Sequence, residues 1–407
     1  MRVLVHGINY APELTGIGKY TSEMCAWLAS CGHEVRVVTA PPYYPEWRIR
    51  EGYRGWRYRR EQIDGVRVER CPLWVPAKPS GAKRLLHLAS FALSSLPLML
   101  RAIGWRPHIV IVIEPPFFCA PAAWLTARLS GGKAWLHVQD LEVDAAFDLG
   151  FLPQRFKKIV MGVEQFVVRR FDRVSTISLA MMNRPLQKGL RTSQCVLFEN
   201  WADCRAIVPL ARASAYRQRL SLSDHAFVAL YSGNIGEKQG LEIIVEAARQ
   251  LMRLPKVFFV VCGDGAARRR LALASGLPNM RWLPLQPLGE LNELLNLADV
   301  HLLPQRASAA DLVMPSKLTG MLASGKPVLA TAEQGSALAL AVSERGLVVS
   351  PGDTNAFVSA LLRLKDDAGL RAAMGRNARC YAETHLAADA VLGRFEAAMQ
   401  RCVEGRS

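Results

Sequence analysis

Residues 3–30 read "VLVHGINYAPELTGIGKYTSEMCAWLAS": a short apolar run, a loop that contains glycine, and then a helical pattern. Gly16 and Gly18 lie where the helical pattern begins. Glycine tolerates positive φ and has no Cβ, so a second molecule can approach the backbone there. The first turn of a helix also has free N–H groups and the positive end of a dipole. The stretch therefore predicts a strand followed by a helix whose start faces an anionic or hydroxyl-rich ligand.

Apolar runs alternate with helix-length segments along the rest of the chain. One series, with runs such as "EVRVVTA" and "HIVIVIE", fills residues 1–200, and a second series begins at about residue 226 with "FVALYSG". Near-continuous apolar strands that alternate with helices are typical of parallel sheets covered on both faces. We expect an α/β fold with two doubly wound, Rossmann-like domains that bind ligands in a cleft at the carboxyl ends of their strands.

A polar, loop-like segment separates the two series. It covers residues 200–226, "NWADCRAIVPLARASAYRQRLSLSDHA". We predict an N-terminal Rossmann-like domain at 1–205 and a C-terminal Rossmann-like domain at 206–375. Helices are predicted at 376–407, and a return of these helices to the first domain is one arrangement that the pattern allows.

Composition limits the cellular setting and the partners. The nine cysteines form no C-x-x-C pair, which favours buried thiols in a reducing compartment over a disulfide framework or a zinc site. The N-terminus begins with a strand pattern and has no signal-peptide core, so we expect a cytoplasmic protein. The net charge of +16 is spread over many short basic clusters with no nucleic-acid-binding motif. An anionic membrane surface fits this charge better than nucleic acid does.

The segment "LLHLASFALSSLPLML", residues 85–100, is the longest apolar stretch. It contains Pro97 and is shorter than the roughly 20 residues that cross a bilayer. Lys83 and Arg84 precede it, and Arg101 follows it. Two interpretations remain open: a buried helix of the first domain, or a helix lying in the membrane interface with its flanking cations on lipid phosphates.

A second glycine-rich turn occurs in "LYSGNIGEKQGLEIIVEAA", residues 230–248. It leads from a strand through Gly233 and Asn234 into a helix, and Lys238 lies within it. A cation beside free amides at a helix start suits a diphosphate, although an ordinary βα turn also explains the glycines. The spacing is neither a dinucleotide fingerprint nor a P-loop.

The stretch "AADLVMPSKLTGMLASGKPVLAT", residues 309–331, contains the most specific pattern. Pro315 and Ser316 are typical of a helix start, with Ser316 as a candidate cap. Lys317 would then lie in the first turn, which is the unfavourable end of the helix dipole for a cation. A bound phosphate, shared by the lysine and the free amides, would account for it.

Polar residues also follow strands of the first domain. Asp140, in "LHVQDLEVDAAFD", could orient a hydroxyl group or stabilise positive charge, and it could equally cap a helix. Asn9 leaves the first strand and could face the cleft. His6 is interpreted as a strand-end histidine with satisfied hydrogen bonds.

Four segments together resemble the retaining nucleotide-sugar glycosyltransferases of the two-domain GT-B type, the family 4 type that includes sucrose synthase. They are "PELTGIGKYTSEMCAWLASCGHEVRVVTAPPYYP", "YSGNIGEKQGLE", "VVCGDG" and "MPSKLTGMLASGKPV". The resemblance covers nearly the whole chain in the right order. The opening fifty residues are similar to the colanic acid biosynthesis glycosyltransferases of bacterial exopolysaccharide clusters.

The resemblance assigns roles to the residues above. It implies that Lys238 binds the donor diphosphate and that the loop from Asp311 to Lys317 surrounds the diphosphate and sugar. The catalytic candidates are Asp140, Lys238 and Asp311. The substrate-binding candidates are Asn9, Gly16, Gly18, Gly233, Asn234, Lys238, Leu285, Gln286, Pro315, Ser316 and Lys317.

Two positions in the third region depart from the family pattern. Most members have two glutamates in the third region, and these fall on Leu312 and Gly320 here. The second glutamate usually holds the nucleotide ribose, so Asp311 becomes the best candidate to touch the donor sugar. An arginine that is common in the family falls near Asn234.

The resulting hypothesis is a metal-independent, retaining hexosyltransferase. It would move a hexose, with fucose from GDP-fucose suggested by the resemblance, to a lipid-linked saccharide at the inner face of the cytoplasmic membrane. No Asp-x-Asp metal motif is present, so Lys238 and Lys317 would stabilise the departing diphosphate, and no cofactor is expected. Two alternatives remain: a GT-B nucleotide-sugar epimerase, and a non-catalytic scaffold that binds sugar nucleotides.

Overall fold

The computed structural model describes residues 1–13, 16–77, 81–141, 147, 155, 157–236, 239–306 and 315–405. The chain forms two compact units. The first comprises Met1–Glu199 and Leu392–Ser407, and the second comprises Asn200–Val391. The chain thus leaves the first unit six residues before the predicted boundary at 205, and it returns at 392, inside the predicted C-terminal helical segment.

Within the described part of the first unit, eight strands form one sheet. They are β1 (Arg2–His6), β2 (Glu34–Thr39), β3 (Arg59–Ile63), β4 (Val66–Arg70), β5 (Ile109–Glu114), β6 (Lys133–Val138), β7 (Arg173–Thr176) and β8 (Cys195–Leu197). The order is β3-β4-β2-β1-β5-β6-β7-β8, and every pair is parallel except β3 with β4. Every residue of β5 is buried, as expected for a parallel strand covered on both faces. The strand order reverses between β1 and β5, where doubly wound folds bind ligands.

Helices cover this sheet. They are α1 (Gly16–Ser30), α2 (Gly81–Ile103), α3 (Ala120–Ser130), α4 (Lys157–Val168) and α5 (Leu179–Gln187). α1 begins at Gly16, so the first stretch of the chain folds as the strand, loop and helix that its pattern predicts.

α2 contains the apolar segment 85–100 and continues beyond it at both ends. The helix has 23 residues, and by length and composition alone it could cross a membrane. Only 33% of its most apolar window is buried. Phe91, Ser95 and Met99 are buried on one side, and Ser95 Oγ lies 2.9 Å from His6 Nε2 of β1. α2 therefore packs on the sheet with one side and exposes leucines on the other.

The second unit contains a six-stranded sheet within its described residues. Its strands are β9 (Phe227–Ser232), β10 (Val257–Cys262), β11 (Met280–Leu283), β12 (Val300–Leu303), β13 (Val328–Thr331) and β14 (Gly346–Val349). The order is β11-β10-β9-β12-β13-β14, and all pairs are parallel. This is the Rossmann order, and its switch point lies between β9 and β12.

Helices precede or lie between the strands of the second unit, and three longer helices follow its last strand. They are α6 (Ala215–Arg219), α7 (Glu242–Gln250), α8 (Arg268–Ser275), α9 (Leu291–Asn296), α10 (Lys317–Ala323), α11 (Ala337–Val342), α12 (Thr354–Asp366), α13 (Ala368–Tyr381) and α14 (Ala388–Val403). The last part of α14 belongs to the first unit, where the Phe395 ring stacks on Phe198 with centroids 3.8 Å apart. The predicted α/β class with two doubly wound sheets is confirmed.

Candidate functional site

The switch point of the second unit brings three predicted binding residues together. β9 ends at Ser232, so Gly233 and Asn234 form its exit turn, and α10, which follows β12, begins at Lys317. A Cβ placed on Gly233 would lie 3.3 Å from Lys317 Nζ. Lys238 and Asp311, two of the catalytic candidates, lie outside the described residues.

Tyr231 connects these residues, although the sequence did not single it out. Lys317 Nζ donates a hydrogen bond of 2.7 Å to the Tyr231 hydroxyl and lies 4.3 Å from the centre of its ring. The same hydroxyl donates to the carbonyl of Asn234. Burial raises the pKa of Tyr231, so the phenol remains neutral. Tyr231 therefore fixes the lysine against the glycine turn.

Lys317 is a cation in an environment that does not favour charge. It is half-buried, and burial lowers its pKa from 10.5 to about 8. No carboxylate in the described ranges forms an ion pair with it. An ammonium group held in this way gains from any anion that enters the site, because the anion restores the interactions lost on burial. The arrangement suits a phosphate.

Ser316 does not have the capping role that the sequence predicted for it. Its backbone is already helical, at φ −57° and ψ −26°, and its side chain makes no capping hydrogen bond. A cap residue needs extended backbone angles to direct its oxygen at the second or third amide of the helix. Ser316 is exposed, and Pro315, which is half-buried, accepts the first turn's hydrogen bond from Leu318 N at 3.0 Å.

The turn after β10 supports the turn after β9 by direct backbone packing. Gly263 has φ +143°, and a Cβ there would lie 1.9 Å from the carbonyl oxygen of Gly233. A Cβ on Gly265 would lie 2.4 Å from the carbonyl oxygen of Ile235, whose own N–H donates to Asp264 O at 2.8 Å. Only glycine permits such an approach. The "VVCGDG" motif therefore positions the Gly233 turn, a role that its sequence alone did not indicate.

The substrate-binding candidates Leu285 and Gln286, which the family resemblance assigns to the nucleotide base, follow β11 at the same edge of the sheet. Gly263 N donates to Leu283 O at 3.1 Å, which connects this segment to the neighbouring turn. Leu285 is 69% exposed. Gln286 is held by Tyr216, whose hydroxyl lies 2.9 Å from Gln286 Oε1, and by its own bond to Pro284 O at 2.7 Å.

In the first unit, the loop after β1 is organised by Glu13, which sequence reasoning missed. Asn9 Nδ2 donates to Glu13 Oε2 at 2.9 Å, so the amide of this binding candidate is engaged within the protein. Glu13 Oε1 accepts from the backbone N–H of Tyr43 and Tyr44 at 2.9 and 3.0 Å. A Cβ on Gly18 would lie 2.8 Å from Glu13 Oε2. The Glu13 carboxylate therefore occupies the space that a side chain at position 18 would need, which explains the glycine without a ligand.

Asp140 and Gly16 both lie close to Tyr44. Asp140 follows β6, and Gly16, at φ +60°, has the Tyr44 ring 3.8 Å from the position of its missing Cβ. Burial, and after it the negative charge of Asp140, raises the pKa of Tyr44. Loops after two different strands therefore bring these two candidates to one edge of the first sheet.

The buried histidines of this sheet are structural. Burial lowers the pKa of both His6 and His137 to about 3, so each is neutral. His137 Nδ1 lies 2.8 Å from Ser175 Oγ. His6 Nε2 bonds to Ser95 as described above, but its buried Nδ1 has no hydrogen-bond partner among the described residues, so the prediction of satisfied hydrogen bonds holds for one ring nitrogen only.

Models of known protein families match residues of both units. Residues 15–201 match the glycosyl transferase 4-like domain, and residues 213–380 match the glycosyl transferases group 1. The chain is 47% identical, over 82% of its own length and 84% of the relative's, to WcaI of Escherichia coli (strain K12), which is named as a colanic acid biosynthesis glycosyl transferase.

Solved structures with the same fold span the whole chain. Sucrose-phosphate synthase from Thermosynechococcus elongatus superposes with a TM-score of 0.76 at 17% identity, covering 100% of both chains. HepE of Anabaena in complex with UDP-glucose superposes with a TM-score of 0.70 at 15% identity, covering 98% of this chain and 99% of that one. Both domain matches and the 47% identity to WcaI, together with the GT-B fold, show that the chain belongs to the family 4 type of glycosyltransferases.

Proposed function

We propose that this glycosyltransferase moves a hexose from a nucleotide diphosphate sugar to a lipid-linked saccharide, with retention of the anomeric configuration, in the assembly of a polysaccharide of the colanic acid type. The observation that carries the proposal is the half-buried Lys317 ammonium, held by Tyr231 beside the Gly233 turn at the switch point. The relative named for colanic acid biosynthesis and the related fold solved with UDP-glucose support it.

The chemistry follows from charge that develops on the leaving group. The bond between the anomeric carbon and the diphosphate breaks, and the acceptor oxygen bonds to the same face of that carbon. The departing phosphate takes the proton of the acceptor hydroxyl, so a nucleoside diphosphate leaves. Lys317 and Lys238 stabilise its charge without a metal ion, and fixed cations of this kind supply a large part of catalysis.

The remaining candidates position the substrates in this proposal. Asp311 touches the donor sugar, and Asp140 orients the acceptor hydroxyl or stabilises positive charge at the reacting carbon. Leu285 and Gln286 contact the base. GDP-fucose is the donor that the sequence resemblance favours.

A surface of the first unit suits contact with an anionic membrane. α3 packs against both α2 and α4, and all three helices expose apolar side chains. These are Leu86, Leu93 and Leu100 of α2, Leu125 and Leu129 of α3, and Ile159, Val163 and Phe166 of α4. Each set repeats at helical spacing, so each forms one face. Exposed Lys83, Arg84 and Arg101 lie at the ends of α2, where cations meet lipid phosphates. We call the exposed side chains of these three helices the apolar helix face.

Product analysis tests the reaction. The purified protein is incubated with GDP-fucose and with other GDP- and UDP-hexoses, with and without a polyprenyl-linked saccharide. We expect release of nucleoside diphosphate and a larger lipid-linked product only when donor and acceptor are both present. A new sugar nucleotide formed from the donor alone would identify an epimerase. Binding of nucleotide without turnover of any pair would identify a scaffold.

The pH dependence of donor use follows from the pKa of Lys317. Below pH 8 the free enzyme has a charged Lys317 that can bind diphosphate, and above it the amine is neutral. We expect kcat/KM for the donor to fall above about pH 8. The pKa of Lys317 in the folded protein is lower than the ordinary value of 10.5, so between about pH 8 and 10.5 the unfolded chain binds this proton more strongly than the folded protein. The contribution of Lys317 to the free energy of unfolding should therefore increase as the pH rises through this range. Lys317→Met serves as the control that lacks both effects, and an unchanged profile in that variant would contradict the assignment.

A further inference from the structure

A basic cavity of about 450 Å³ lies in the first unit, next to the loop after β1, since its wall residue Arg70 donates a hydrogen bond to the carbonyl of Ala11. Pro41, just after β2, and Arg70, the last residue of β4, line it, so it lies at the carboxyl edge of the sheet. The segment between β2 and β3, together with Arg59 at the start of β3, forms the rest of its wall. Its volume is within the range of small-molecule sites.

Arginine and tyrosine side chains dominate the cavity lining, and no carboxylate is among the described residues that form it. These side chains are Arg54, Arg57, Arg59, Arg70, Tyr53 and Tyr58. The centre of the Tyr53 ring lies 4.7 Å from the guanidinium group of Arg59 and 4.9 Å from that of Arg70. The ring therefore helps to hold the two cations in place.

The four arginines have too few counterions in the described part of the chain. Arg70 is 1% exposed, bonds to Ala40 O at 2.7 Å and pairs with Glu61. Arg59 uses the same carboxylate at 3.3 Å. Arg54 and Arg57 are exposed, and among the described residues neither forms an ion pair. The cavity therefore has an excess of positive charge that an anion would neutralise.

The cavity wall is fixed to the side of α2. The Tyr58 hydroxyl donates to Ser94 O of α2 at 2.8 Å, and Ser94 Oγ donates to Pro72 O at 2.6 Å. Two tryptophans of these connecting segments face solvent: Trp56 is 71% exposed and Trp74 is 46% exposed. Exposed tryptophan and tyrosine beside apolar side chains are typical of the membrane–water interface.

We propose that this cavity binds the diphosphate of the lipid-linked saccharide while the apolar helix face and Trp56 contact the bilayer. The inference rests on the proposed function, since it concerns the acceptor of that reaction. Guanidinium groups bind phosphate through paired hydrogen bonds, and an apolar surface next to them distinguishes a lipid diphosphate from a soluble one. Arg54 and Arg57 are the recognition residues, and Arg70 and Glu61 maintain the wall.

Vesicle binding without donor tests the site. Sedimentation compares phosphatidylcholine vesicles containing a long-chain polyprenyl diphosphate with vesicles containing phosphatidylglycerol at matched surface charge. We expect the wild-type protein to bind the polyprenyl diphosphate vesicles about tenfold more tightly, because charged hydrogen bonds to the diphosphate add to general attraction. In Arg54→Ala/Arg57→Ala that preference should disappear, while binding to phosphatidylglycerol vesicles remains.

The controls separate charge from recognition and from folding. Arg253→Ala/Arg269→Ala removes the same charge from exposed positions of the second unit and should keep the preference. Arg54→Lys/Arg57→Lys keeps the charge and should lose most of the preference, because ammonium groups do not bind phosphate bidentately. Unchanged thermal unfolding shows that each variant folds.

The outcomes also distinguish this inference from the proposed function. Equal binding of the wild-type protein to both vesicle types, or an unchanged preference in Arg54→Ala/Arg57→Ala, overturns the cavity assignment even if the enzyme transfers sugar to a lipid acceptor. Loss of the preference in that variant supports the cavity assignment, whether or not the wild-type enzyme is active. Inactivity of the wild-type enzyme with every donor tested would count against the proposed function alone. In active enzyme, the variant should raise the KM for the lipid acceptor and leave the KM for the donor unchanged.

Discussion

Lys317→Ala is expected to lower the turnover number by about 10²–10³-fold, the loss typical when one preorganised group is removed from a developing anion. The half-buried ammonium is held by Tyr231 and, among the described residues, has no counterion. Its removal should therefore cost little or no folding stability, because the folded protein gives up an unfavourable buried charge. Steady-state kinetics and thermal unfolding of the same preparations measure the two effects.

Two companion variants make this result specific. Lys365→Ala removes a surface lysine of the second unit that pairs with Asp366, and its turnover should match that of the wild type. Tyr231→Phe keeps the ring and removes the hydroxyl, so the lysine loses its hydrogen bond and turnover should fall by a smaller factor. Wild-type turnover in Lys317→Ala would exclude the lysine from the reaction. A lower unfolding temperature together with lost turnover would show a structural role instead.

Gly263→Ala is expected to reduce the free energy of unfolding by about 3 kcal/mol, which combines overpacking with an unfavourable backbone angle. The new Cβ would lie 1.9 Å from the Gly233 carbonyl oxygen, and the residue has φ +143°. The three atoms nearest to the new Cβ all belong to the Gly233 backbone and not to a flexible side chain, so the two turns must separate. Donor affinity should fall in parallel because the Gly233 turn moves. Urea unfolding and nucleotide titration measure these effects.

The matched control for this variant is Gly289→Ala in the same unit. Gly289 has no atom within 4 Å of its missing Cβ, so the change should leave stability and nucleotide affinity nearly unaltered. If Gly263→Ala proved as stable as Gly289→Ala, the rigid packing of the two turns would be refuted. If it lost stability and kept full nucleotide affinity, the turn after β10 would not position the donor site.

Local patterns were sufficient to predict the elements and the family. The spacing of apolar residues and the composition of each segment predicted the strands of both sheets and the helices between them. Gly16 begins α1, as the preceding loop suggested. The residues "MPSKLTGMLASGKPV" with the glycine turns indicated the glycosyltransferase family that the comparisons establish. The local prediction that Ser316 caps α10 was wrong, since capping depends on backbone angles that residue type does not fix.

The sequence by itself determined the α/β architecture, the family and the identity of the basic and glycine-rich residues at the strand ends. These depend on near neighbours in the chain, where periodicity and backbone preference act directly. Only the tertiary structure decided that Tyr231 contacts Lys317, that Glu13 accepts hydrogen bonds from the amides of Tyr43 and Tyr44, and that Arg59 and Arg70 both contact the Tyr53 ring. Such contacts join residues far apart in the chain. They arise from strand order and register, which are set by the packing of the whole sheet and not by any single segment.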